Sequence, residues 1–189
     1  MIKFLLYYIS RGYYLLKAIA ERVALFGGSF DPPHIGHESI VIEALEQLKI
    51  DKLIILPTFL NPFKTSSSLS PQQRLELSFK LFGKIPKVLV EDYEIKEGKA
   101  VRTAQTLAHF QKKYRVKYII IGADNLESIV KWYNFEWINS EITWVIATRK
   151  GHQLNSDALR KFMILEVSVD MSSTEIRNKQ KKQTKEGNR

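Results

Sequence analysis

The chain has 189 residues, 44% of them hydrophobic, which is enough for one domain with a proper core. It has no cysteine, which excludes disulfides, thiolate catalysis and cysteine-held metal, and fits a reducing compartment such as the cytoplasm. The net charge is +9, but residues 178–189 carry +4 of it and residues 1–22 carry +3, so the excess sits at the ends. That distribution reads as solvated termini and not as a nucleic-acid footprint on a folded face.

Residues 1–22 hold two apolar pieces, Phe4–Ile9 and Tyr13–Leu16, on either side of Arg11. Each piece is too short for a signal core or a membrane span. We expect an extension in front of the domain, of the kind an upstream start codon would give. The rival is an amphipathic helix packed on the domain or on a membrane surface.

The next apolar run, Val23-Ala24-Leu25-Phe26, reads as a buried strand. It leads into Gly27-Gly28-Ser29-Phe30-Asp31-Pro32-Pro33-His34-Ile35-Gly36-His37, and then into Glu38–Leu45 with apolar residues at helical spacing. Strand, glycine-rich turn and helix start together make a mononucleotide-binding unit. Gly27 and Gly28 let a ligand approach the backbone, and the helix start offers unpaired N–H groups and a positive dipole end. His34 and His37 are three apart and lie on one face of the first turn, so both can donate to one phosphate chain. Taken singly, two glycines after a strand also fit a plain tight turn, and a histidine pair also fits a metal half-site or a solvated helix start. A structural zinc site needs four ligands, and the chain has only two further histidines.

Lys52–Pro57 is a second buried strand, followed by a long loop, Thr58 to Ser70, at the strand end where α/β sheets bind ligands. Ser70-Pro71 begins the next helix, with Ser as cap and Pro at the first position, and the helix runs from Gln72 to Phe82. Lys87–Val90 is a third strand and Glu91–Lys99 a charged connector closing at Gly98. Thr103–Tyr114 reads as a helix whose start suits a small carboxylate, although Thr103 also fits a simple cap. Val116–Ile121 is a fourth strand, ending at Gly122-Ala123-Asp124-Asn125. An acid there meets a ribose hydroxyl as readily as it caps a helix. Lys131–Trp137 is a helical stretch with two tryptophans, one suited to the core and one to stacking on a ligand. Thr143–Ala147 is a fifth strand ending in Thr148-Arg149-Lys150-Gly151, and Phe162–Leu165 a short last strand.

Met171-Ser172-Ser173-Thr174-Glu175-Ile176-Arg177 opens a final helix. Ser172 and Glu175 make a capping box without any function. Ser173, Thr174 and Arg177 add hydroxyls, a dipole end and a guanidinium, the parts of a phosphate site.

The eleven-residue string from Gly27 to His37 resembles the GGxFDPxHxGH signature of the nucleotidyltransferase superfamily, and Met171–Arg177 resembles its ISSTxIR motif. The remaining motifs are similar to those of bacterial nicotinate-nucleotide adenylyltransferases. Asn61-Pro62-Phe63-Lys64 resembles the PPHK loop, Gly98–Leu107 the GxSYTxxTL segment, Gly122-Ala123-Asp124 the GxD turn, and Thr148–Gly151 the TRPG string. Trp132 falls at the TW pair. The resemblance implies an α/β fold, a Rossmann-like parallel sheet with helices on both faces, forming a single domain over residues 23–177. Residues 178–189 would be a basic tail.

The resemblance also implies that ATP and nicotinate mononucleotide give deamido-NAD and pyrophosphate. By it, Gly27, Gly28, Ser29, Phe30, His34, His37, Gly122, Asp124, Arg149, Ser173, Thr174 and Arg177 bind ATP. His34, His37 and Arg177 act in catalysis. Asn61, Lys64, Thr103, Asp124 and Trp132 bind the acceptor, and Mg²⁺ is held by phosphates and water. Three positions depart from the family pattern: Val101-Arg102 replaces Ser-Tyr, Phe63 replaces His, and Lys150 replaces Pro. They bear on the acceptor half. Rival readings are a transferase of the same fold acting on nicotinamide mononucleotide, phosphopantetheine or a cytidylyl donor, and, in another class, an RNA- or membrane-binding protein using the basic ends. No nucleic-acid or membrane partner is expected, and a homo-oligomer is compatible with the sequence.

Overall fold

Six stretches rich in Val, Ile and Leu pair in parallel in the order β3-β2-β1-β4-β5-β6. In chain order they are β1 (Arg22–Gly28), β2 (Lys52–Pro57), β3 (Val88–Val90), β4 (Arg115–Gly122), β5 (Thr143–Arg149) and β6 (Phe162–Val167). This computed structural model describes residues 20–61, 66–149 and 156–167. Between the strands lie α1 (Ile35–Gln47), α2 (Pro71–Phe82), a single turn α3 (Tyr93–Lys96), α4 (Thr103–Phe110) and α5 (Phe135–Glu141), with 3₁₀ turns at Ala123–Asn125 and Ile129–Lys131.

The central strands are apolar on both faces because both faces are covered. Val23 and Leu25 of β1 join Ile54, Ile119, Trp144 and the inner sides of α4 and α5 in one core. Ala24 and Phe26 join Leu53, Ile120, Val145 and the inner sides of α1 and α2 in the other. The expected α/β architecture, one parallel sheet with helices on both faces, is the one observed. Val23 pairs with Val116 but Ala24 pairs with Tyr118, so Lys117 is an extra residue that resets the alternation of β4. Val116, Ile119 and Ile121 can then share a face.

Four local expectations differ from the structure. The first strand begins before Val23 and runs past Phe26: β1 spans Arg22–Gly28, the Arg22 carbonyl accepts from Asp51 N–H at 2.8 Å, and the Glu21 carbonyl accepts from Arg115 N–H at 2.9 Å. The helix from Thr103 stops at Phe110, not Tyr114. There the Lys113 and Tyr114 amides both bond to the Phe110 carbonyl, which tightens the chain and buries Tyr114 beside the Phe110 ring. The charged connector contains α3, because Glu94 is buried against α4. Lys131–Trp137 is not one helix, because Asn134 adopts a left-handed conformation (φ 58°) that separates the 3₁₀ turn from α5. Ser70 and Pro71 do cap and open α2 as expected, and Gln73 completes the cap from the other side. The expectations for residues 1–19, Lys64, Ser173, Thr174, Arg177 and the basic tail lie outside the described residues.

Candidate active site

The loop after β1 is built around Phe30. Its backbone is left-handed (φ 45°) and its side chain turns inward, where only 2% of the residue is exposed. The ring meets Phe26 at 5.4 Å, Phe82 at 5.7 Å and the His37 imidazole at 5.0 Å, centroid to centroid. A methyl group at Gly28 would stand 3.0 Å from that ring, so glycine leaves the ring its space without displacing it. Phe30 therefore supports His37 from the core, and only its backbone is placed to line a nucleotide site.

His34 is the N-cap of α1 and stands just outside the first turn, with extended backbone. Its Nδ1 accepts from Gly36 N–H at 3.1 Å, while His37 Nδ1 accepts from His34 N–H at 3.2 Å. The pair forms a reciprocal capping box with imidazoles in place of the usual hydroxyl and carboxylate. The rings lie 3.8 Å apart, so the shared face expected from the spacing is present. A neutral imidazole that accepts at Nδ1 carries its hydrogen on Nε2. Each ring is thus held as an Nε2 donor before any ligand arrives. Burial first, and then the neighbouring His34, hold the His37 pKa down to about 3, so His37 is neutral at physiological pH.

Two residues that sequence reasoning did not assign fix this loop in place. Asp31 is buried, and its carboxylate accepts from Ser68 N–H at 2.7 Å and Leu69 N–H at 2.9 Å. Arg74, fully buried on α2, donates to the carbonyls of Ser29, Thr58 and Phe59, each at 2.7 Å, and to that of Leu69 at 3.3 Å. A signal for Arg74 existed in its spacing: Arg74, Ser78 and Phe82 recur every four residues on the inward stripe of α2.

The other expected residues gather at the same end of the sheet. Gly28 pairs with Pro57, and Gly122 pairs with Ala147, so the exits of β1, β2, β4 and β5 are neighbours. Asn61 follows the β2 exit. Asp124 is exposed on the turn after β4, beside Asn125, whose amide donates to its Oδ1 at 3.1 Å. A side chain at Gly122 would meet the Asp124 carboxylate, which would have to turn away. Arg149 is the last residue of β5.

Thr103 and Trp132 are brought together less directly. Thr103 is the first helical residue of α4 and Arg102 takes the cap position, so Thr103 is not the cap. The Arg102 guanidinium stands 4.5 Å over the ring of Tyr133, next to Trp132. Trp132 is half-buried, its ring edge-on to the fully buried Trp144 at 6.0 Å, and its Nε1 is buried without a hydrogen-bond partner. Beneath α4, Thr106 donates to Glu94 Oε1 at 2.8 Å, and Glu94 Oε2 is buried with no partner. Burial pushes the Glu94 pKa up to about 7, against the opposing hydrogen bond from Thr106.

A parallel sheet with a glycine turn and imidazole donors at the strand exits has the layout in which α/β folds bind nucleotides. Residues 25–179 match the Cytidylyltransferase-like family. A protein of Sulfurovum sp. named "Probable nicotinate-nucleotide adenylyltransferase" is 55% identical over 157 residues, covering 83% of this chain and 84% of its own. One of the same name from Aliarcobacter butzleri is 47% identical over 158 residues, covering 82% and 86%. The chain belongs to the nicotinate-nucleotide adenylyltransferase family. Among solved structures, the Plasmodium falciparum nicotinic acid mononucleotide adenylyltransferase complexed with NaAD superposes with a TM-score of 0.67, at 19% identity over 84% of this chain and 83% of that one. At that identity the likeness bears on the fold.

Proposed function

We propose that the protein transfers the adenylyl group of ATP to nicotinate mononucleotide, giving deamido-NAD and pyrophosphate. The observation that carries this reading is the reciprocal histidine cap, two neutral imidazoles held as Nε2 donors at the helix start after β1. The acceptor phosphate attacks the α-phosphorus in line, and pyrophosphate leaves. His37 donates a hydrogen bond to the leaving phosphates as they gain charge, and the positive end of α1 adds to it. Ser29 and Gly28 supply backbone for the triphosphate, with Ser173, Thr174 and Arg177 from the last motif as its second support. Asp124 faces a ribose, Thr103 takes the nicotinate carboxylate and Trp132 packs on its ring. The family names of the relatives support the choice of acceptor.

Among the described residues, no three of His, Cys, Asp or Glu gather as a metal-ligating group. We assign Mg²⁺ to the triphosphate oxygens, with water as its other ligands, where it would neutralise phosphate charge. Among the described residues, no helix is long and apolar enough to cross a membrane. The deciding experiment is pyrophosphate release from ATP and Mg²⁺ with either nicotinate or nicotinamide mononucleotide. Release with the nicotinate form is expected, and release with neither acceptor overturns the assignment.

A further inference from the structure

Arg74 is an unusual residue to find with no exposed surface. Burying a guanidinium is costly unless its donors are satisfied. Here four backbone carbonyls satisfy it, and Asp31 is the carboxylate whose field acts on it. Those carbonyls come from separate pieces of chain. Ser29 belongs to the β1 exit loop, Thr58 and Phe59 to the β2 exit loop, and Leu69 to the approach to α2. A single nitrogen, Nη1, bridges the first two, donating to Ser29 O and to Thr58 O. The loops also touch directly, through Thr58 N–H and the Gly28 carbonyl at 3.0 Å. Asp31 ties the same β1 loop to Ser68 and Leu69.

We infer that Arg74 is a positioning residue that holds the two substrate-binding loops in register, so that the α-phosphorus on one meets the acceptor phosphate on the other. This rests on the proposed reaction, with ATP on the β1 loop and the acceptor beside Asn61 on the β2 loop. Each loop keeps its own strand and its own ligand contacts without Arg74. What is lost is the fixed offset between them. Displacement of about 1 Å in an in-line reaction costs on the order of 10²-fold in rate. Binding of each substrate alone has no such requirement. A lysine cannot take over, because its compact ammonium lacks the planar fork that reaches both loops at once.

The test uses the full chain with Arg74→Lys and Arg74→Ala, alongside the unaltered protein. Steady-state pyrophosphate release gives kcat and both KM values, and circular dichroism reports folding. Expected is a folded Arg74→Lys protein with kcat lower by about 10- to 10²-fold and both KM values within about threefold. Added guanidinium ion should restore part of kcat to Arg74→Ala. Unchanged kcat in a folded variant overturns the inference, as does a loss confined to KM. Failure of both variants to fold assigns Arg74 to the fold alone and overturns it too. Hydrogen exchange reads the same coupling without substrate: the Ser29–Asp31 and Thr58–Asn61 amides should lose protection together while Ala24–Phe26 and Leu53–Ile55 keep theirs. An unaltered protein that releases no pyrophosphate would overturn the proposed reaction, and hydrogen exchange would still decide whether Arg74 couples the loops.

Discussion

The two sides of the strand-exit rim hold their polar side chains in different ways. On the side of α1 and α2, His34, His37, Asp31 and Arg74 all bond to main-chain groups. On the side of α3 and α4, Glu94 bonds to another side chain, that of Thr106; Glu94 Oε2 and Trp132 Nε1 are buried and unpartnered there, as Thr58 Oγ1 is on the first side. A side chain bonded to backbone fixes the path of the chain itself, so the phosphate side is shaped by the fold. A carboxyl paired only with a hydroxyl depends on its own protonation, so the other side responds to pH.

The largest effect should come from the phosphate side. His37→Ala should lower kcat by about 10²–10³-fold, the usual loss for one preorganised donor, while the protein stays folded. Pyrophosphate release with thermal unfolding checks both parts, and an unchanged kcat would remove His37 from the chemistry.

The contrast in pH response is tested by Glu94→Gln. The folded-state pKa of about 7 lies above the ordinary 4.5, so the folded protein holds this proton where the unfolded chain has lost it. Stability from this group is therefore full below about pH 4.5, falls as the pH rises toward 7, and stays low above that. Glutamine should flatten this window and raise stability near pH 8 relative to near pH 5, by an amount on the order of 3 kcal/mol. Urea midpoints at the two pH values measure it. An equal gap between variant and parent at both would show that Glu94 does not titrate in the window.

Asp31→Ala should cost about 1–2 kcal/mol, since it takes a charged acceptor away from the part-buried amides of Ser68 and Leu69. Chemical denaturation measures this, and a cost near zero would break the claim that main-chain bonding shapes the phosphate side. Gly28→Ala is the mildest change, about 1 kcal/mol, because the Phe30 ring must give way by a few tenths of an ångström. Combining it with Phe30→Leu should return part of that loss, and simple additivity of the two would show that the contact does not matter.

The central strands were legible as apolar runs because a sheet covered on both faces leaves little else for a buried strand to be, and the edge strand β6 was legible because it is apolar too, although Phe162, Met163 and Ile164 are exposed. Residues 52–57 match β2 at both ends. The first motif was legible because its string is long, although the part played by Phe30 was not, since a ring that turns inward from a loop leaves no periodic trace. Arg74 was missed because an arginine in a helix ordinarily snorkels to water. Its inward position shows only when its stripe is followed through Ser78 to Phe82. Glu94 was hidden in a charged run, where nothing local distinguishes the one acid that α4 covers from its solvated neighbours.

The sheet order has a consequence in time. β1 sits between β2, which follows it closely, and β4, which begins at Arg115. The floor beneath the histidines is therefore closed by strand pairing between residues separated by more than half of the described domain, as in Phe26 with Ile120. Contacts of such separation form late and slow folding. During synthesis the glycine turn and its helix emerge early, with half of their support still unmade, and the enzyme becomes able to hold a nucleotide only after the middle of the chain has left the ribosome.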